Sequence, residues 1–138
     1  MGIAKAKFAQ ILGDVFAEGN RIELFATVPD ETTESGGVKI SGTGYAAYEI
    51  KSGDFNVSGN TVTSAKNMMF YLCESEDGHG TAYGFGVYSG NSLLYFGSFR
   101  EPMPITYNTV PTIKKYNESL KEGVKVTLTS TEVSATAE

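Results

Sequence analysis

The chain begins with apolar residues at helical spacing and then changes to the alternation typical of strands. Near the N-terminus, apolar residues recur three or four positions apart, which predicts one amphipathic helix within residues 1–20. Gly19 followed by Asn20 is typical of a helix end. So short a helix is marginal alone, so its stripe is expected to pack on the chain's own β domain or on a neighbouring subunit. The stripe consists of Phe8, Ile11, Leu12, Val15 and Phe16.

From residue 21 onward, short alternating segments separated by turn signals predict a series of β-strands. The first runs from Arg21 to Val28, and further strands are expected around residues 44–51 and 68–74. Residues 81–89 and 93–99, joined by a Gly-Asn turn, predict an antiparallel hairpin at the centre of the domain. Prolines 102 and 104 indicate a connection and a sheet edge.

This spacing of strands predicts an all-β fold, namely a single antiparallel β-sandwich (jelly-roll-like) with one short N-terminal α-helix. We expect the helix within residues 1–20, the sandwich over 21–130 and a flexible C-terminal tail over 131–138. The length of 138 residues fits one domain, and an apolar content of 41% is enough for a core.

Charge and hydropathy narrow the classes of partner. The net charge is -5 and the basic residues are scattered, so the clustered Lys and Arg that bind nucleic acid or an anionic membrane surface are missing. No stretch approaches the roughly 20 apolar residues of a membrane span, and no signal peptide is visible. We therefore expect no nucleic-acid or membrane partner, and synthesis in a reducing cytoplasm.

Few residues carry chemistry. Cys73 is the single cysteine and lies among apolar neighbours, which favours a buried core thiol. Two acidic groups have oxygen ligands that a cation would need, but their spacing matches no known motif and favours solvated loops. We predict no catalytic residues, no metal and no cofactor, and hence no enzyme. The acidic groups are Glu74, Glu76 and Asp77 with His79, and Asp30, Glu31 and Glu34.

The aromatic residues indicate a different role. The chain has 8 Tyr and 8 Phe, more rings than so small a domain is expected to bury. Tyrosine suits half-wet protein interfaces because it joins an apolar ring to a polar hydroxyl. We therefore predict interface roles for four residues of the helix stripe and for several tyrosines. The predicted interface residues are Phe8, Ile11, Leu12, Val15, Tyr45, Tyr48, Tyr83, Tyr88 and Tyr95.

Several short segments also stand in a recognisable order along most of the chain. A helical segment is followed by a strand that ends in a Pro-containing acidic loop, and then by Gly-rich strand and turn motifs. The segments are residues 4–17, 24–30, 41–46 (Ser-Gly-Thr-Gly-Tyr-Ala), 59–62, 85–88 (Phe-Gly-Val-Tyr), 90–97 and 124–128.

In this order the segments resemble small phage virion proteins of the tail fibre type. The resemblance implies a virion structural protein, a tail fibre or baseplate component that acts through protein–protein packing. It implies other virion proteins as partners, a homo-oligomer of which a trimer is one form, and location in the virion after synthesis in the host bacterial cytoplasm. Two alternatives stay open: a capsid decoration protein (cement or head-fibre), and a carbohydrate- or receptor-binding β-sandwich that uses exposed tyrosines and the 75–80 loop.

Overall fold

The computed structural model describes residues 4–30 and 37–129. Over these residues the chain is all-β and sandwich-like with one N-terminal helix, which confirms the predicted fold class. The tail predicted over 131–138 lies outside the described residues. The elements are α1 (Lys5–Val15), β1 (Arg21–Phe25), β2 (Tyr48–Glu49), β3 (Phe55–Ser58), β4 (Thr61–Ser64), β5 (Met68–Met69), β6 (Gly80–Ser89), β7 (Ser92–Ile105), β8 (Thr112–Ile113) and β9 (Lys125–Thr127).

Helix α1 ends where the sequence predicts. Gly19 takes a φ of +94°, a left-handed conformation that glycine adopts readily. The side-chain amide of Asn20 donates hydrogen bonds to the carbonyls of Asp14, at 3.2 Å, and Val15, at 2.9 Å. These bonds satisfy carbonyls that have no partner within the helix. The helix then packs on the chain's own strands β3 and β4.

The strands form three antiparallel sheets. A four-stranded sheet, here the main sheet, has the order β2-β1-β6-β7; a three-stranded sheet has the order β3-β4-β9, and β5 pairs with β8. The β6–β7 hairpin is confirmed. Of the two hairpin strands, β6 lies inside the sheet, whereas β7 is an edge strand of the sheet formed by residues 4–30 and 37–129. Pro102 and Pro104 lie inside β7, so the predicted edge is right and the predicted connection at these residues is wrong.

One apolar core is shared by the helix and the three sheets. Alternation decides which side chains reach it: in β9, Val126 is buried between two exposed neighbours. The exposed polar residues of the short strands face away from the apolar core. Core residues from each layer include Leu12 and Phe16 of α1, Ile22, Leu24, Phe85 and Val87 of the main sheet, Val62 and Val126 of the second sheet, and Met68 and Ile113 of the third.

Strand β1 departs from the predicted alternation because both of its faces are buried. Residues 38–40 pair beside it, with the amide of Ile40 donating to the carbonyl of Leu24 at 2.8 Å. The strand ends at Phe25, and the chain then curls so that Pro29 approaches the backbone of Gly84. Val28 is therefore 62% exposed, and the prediction that the strand extends to this residue is wrong.

Other strands are shorter than the sequence suggests. The segments predicted around residues 44–51 and 68–74 contain only the two-residue strands β2 and β5. Strand β8 and the ordered course of residues 114–123 were not predicted. Ser64 holds this segment in place, because its hydroxyl donates to the carbonyl of Lys114 at 2.8 Å and accepts from the amide of Val124 at 3.0 Å.

Candidate interaction surface

The outer edge of β7 is the most distinctive surface of the described chain. Strand β7 is the longest of the described strands, with 14 residues, and it lies at one edge of the four-stranded sheet. Its first half, residues 92–99 (Ser-Leu-Leu-Tyr-Phe-Gly-Ser-Phe), contains no charged residue and no proline. Edge strands present unpaired backbone groups to solvent, and proteins usually protect them with charge, proline or short length. This half has no charge and no proline, and its one irregularity is the register shift at Leu94; we call it the open edge.

The second half of β7 is protected. Arg100 and Glu101 carry charge, and Pro102 and Pro104 lack the amide hydrogen that a neighbouring strand would need. The ladder with β6 is also irregular on this side, between the pairs Gly84–Ser98 and Ala82–Met103. A further strand could therefore add to the open edge and not to the second half.

Side chains of the open edge lie on both faces of the sheet. Tyr95 and Phe99 face the core, with ring centroids 6.0 Å and 5.4 Å from that of Phe85. Leu93 lies on the opposite face near Gly86, and Leu94 is 41% exposed beside a shift in register. The open edge is therefore apolar on both sides of its backbone.

A second apolar surface lies on two segments that pair with each other. The amide of Phe70 donates to the carbonyl of Pro111, and that of Cys73 to the carbonyl of Thr109, both at 2.8 Å. Four large apolar residues of these two segments are exposed, which is unusual for so short a stretch. They are Met69 (64%), Leu72 (46%), Tyr107 (55%) and Val110 (39%).

A shallow cleft of about 280 Å³ lies between the second half of β7 and residues 112–124. Three of its charged side chains are in ion pairs. Lys114 Nζ lies 2.7 Å from a carboxylate oxygen of Glu122, and Arg100 Nη2 lies 3.8 Å from one of Glu118. These exposed pairs contribute little stability each.

A buried carboxylate anchors the β6–β7 turn. Glu23 accepts from Arg21 Nε at 2.7 Å and from the Tyr45 hydroxyl at 2.9 Å. Arg21 in turn donates to the carbonyl of Gly90 in the turn, and its guanidinium lies 5.0 Å from the ring centroid of Tyr88. Since a buried charge requires partners, this network is a structural clamp that fixes the start of β7 against β1.

The 75–80 loop does not present all of its candidate ligands together. Glu74, Glu76 and Asp77 are exposed, whereas His79 turns inward. His79 Nδ1 lies 2.8 Å from the Tyr71 hydroxyl, and its ring packs against the backbone of Gly42. Over residues 4–30 and 37–129, no group of three or more His, Cys, Asp or Glu is placed to hold a metal ion. Of the other acidic group, Glu31 and Glu34 lie outside the described residues.

The structure separates the predicted interface residues into three groups by exposure. Those that are buried contact the chain's own core, so they could meet a partner only if the domain opened. The interface role of the others stays a prediction. Phe8 (4%), Leu12 (2%), Tyr48 (7%) and Tyr88 (4%) are buried, Ile11, Val15, Tyr45 and Tyr95 are half-buried, and Tyr83 is exposed (38%).

Sequence reasoning missed the exposed members of both apolar surfaces, because a run of alternating residues does not show which strand will be last in a sheet. The available signal was the absence of charge and proline from residues 92–99.

Among the described residues, no helix is long and apolar enough to cross a membrane.

One buried and two half-buried tyrosines are expected to make stability depend on alkaline pH. Burial raises the pKa of Tyr71 to about 12. Burial also raises the pKa of Tyr45 and Tyr48 well above the ordinary value, with Glu23 and Asp54, respectively, adding to the effect. Because the folded state favours the neutral phenols, stability is fully present below about pH 10, where tyrosine ionises in the unfolded chain.

We expect the free energy of unfolding to fall as the pH rises from about 10 to about 12. Urea unfolding at a series of pH values measures this slope. The variant Tyr71→Phe removes one of the groups responsible and should flatten the slope in that window. An unchanged slope in this variant would show that Tyr71 ionises equally in both states.

The chain matches no family model, no curated protein and no solved structure. The resemblance to tail fibre-type virion proteins therefore remains a prediction from the order of the sequence motifs.

Proposed function

We propose that the chain is a structural subunit of a phage virion, of the tail fibre or baseplate type, that works by packing against other virion proteins. The observation that carries the proposal is the open edge of β7, an uncharged apolar strand end to which another strand could add. The order of the sequence motifs supplies the virion context.

The second apolar surface supports the same proposal. The exposed residues Met69, Leu72, Tyr107 and Val110 lie on one pair of segments, and exposed apolar patches of this kind mark protein contacts. A subunit with two such surfaces can contact two neighbours, as the subunits of an assembly must.

The test is to purify virions from cells in which the gene is expressed and to search their protein content by mass spectrometry. We expect the chain at a fixed copy number per particle, and electron cryomicroscopy should place it on the tail or baseplate. Density on the capsid surface would favour the decoration alternative instead. Absence from purified virions, with binding on a glycan array, would replace the proposal with the carbohydrate-binding alternative.

A further inference from the structure

We propose that two copies of the chain join edge to edge through residues 95–99 of β7, so that the two four-stranded sheets become one continuous antiparallel sheet. This names a partner for the docking surface of the proposed function, a second copy of the chain. Backbone N–H and C=O groups in a row along a sheet edge are matched best by another strand.

A two-fold axis perpendicular to the sheet pairs the strand with itself in the antiparallel direction and keeps each face on its own side. Centred on Gly97, this pairing sets Phe96 opposite Ser98 of the second copy. It also sets Tyr95 opposite Phe99 of the second copy, twice in the dimer. Tyr95 and Phe99 both face the core, so the aromatic filling would continue across the junction.

With a net charge of -5, two copies repel each other in most orientations. The paired residues 95–99 carry no charge. Just beyond them, Arg100 and Glu101 lie across from Leu94 and Leu93 of the second copy, so no like charges are opposed. Beyond this segment, Pro102 and Pro104 prevent further pairing and thereby limit the length of the junction.

The test is the oligomeric state of the purified full chain, measured by sedimentation velocity over a range of concentrations. The decisive variant is Ser98→Lys, because Ser98 is exposed on the open edge and two new lysines would meet near the axis. The matched control is Ser52→Lys, which makes the same change at an exposed turn residue. Circular dichroism checks that each variant is folded.

We expect the wild-type chain and Ser52→Lys to form dimers, and Ser98→Lys to dissociate at least about tenfold more readily, because like charges in a junction are strongly unfavourable. Hydrogen exchange of residues 95–99 should slow as the wild-type concentration rises. If Ser98→Lys does not fold, Leu94→Lys tests the same edge at a residue that is 41% exposed.

A wild-type chain that stays monomeric at its highest soluble concentration, a trimer, or an undiminished dimer in the folded edge variants would each overturn the inference. None of these results would remove the chain from the virion, which the mass spectrometry tests separately. Conversely, an edge-to-edge dimer of a chain that is absent from virions would uphold this inference and end the proposed function.

Discussion

Replacing Gly84 with alanine is expected to destabilise the protein by about 3 kcal/mol, near the upper end of the usual cost of overpacking. A β-carbon at this position would lie 2.4 Å from the carbonyl oxygen of Gly97 and 2.4 Å from Pro29 Cγ. The first neighbour is backbone and the second belongs to a rigid ring, so neither can move cheaply. The hairpin would have to separate at the residues that position the open edge.

The matched control for Gly84→Ala is Gly13→Ala. Gly13 is exposed in α1 and a β-carbon there meets nothing within 4 Å. Because alanine favours a helix over glycine, this variant should be stabilised by up to about 1 kcal/mol. Urea unfolding of both variants measures the two effects, which have opposite signs. Equal stability of Gly84→Ala and the wild type would contradict the close approach of Pro29 to the sheet.

Replacing Phe25 with alanine is expected to cost about 4 kcal/mol, the usual range for a fully buried phenylalanine. Phe25 is 0% exposed, and its ring lies over the backbone of Gly86, where a β-carbon would be 2.6 Å from Cζ. Gly84 and Gly86, the glycines of β6 that pair with β1, have no side chain that could fill the space. The cavity would therefore persist on the outer face of the main sheet.

The control for Phe25→Ala is Val28→Ala, three residues further along the same segment. Val28 is 62% exposed, so its truncation should change stability by no more than about 0.5 kcal/mol. The midpoint of urea unfolding distinguishes the two variants. A small effect for Phe25→Ala would mean that the ring is not enclosed in solution and that the outer face of the sheet is open.

Much of the candidate site follows from local sequence. The Gly-Asn turn at residues 90–91 and the flanking apolar runs predict the hairpin that contains the open edge, because turn type and alternation are local properties. Tyr83 was predicted at an interface and is exposed. Tyr48 and Tyr88 were predicted at an interface for the same reason as Tyr83, namely that they are tyrosines, yet both are buried. Residue type alone therefore does not show which tyrosines are exposed.

The sequence by itself determined the all-β class, the single helix with its Gly19–Asn20 end, and the β6–β7 hairpin. Each of these rests on periodicity or on residues close together in the chain. Only the tertiary structure decided that β7 is the last strand, that β1 is buried on both faces and that Ser64 holds the 114–123 segment. These features depend on contacts between residues that are distant in the chain. The alternation of a strand does not show which strand it will pair with, or whether it will have a neighbour on both sides.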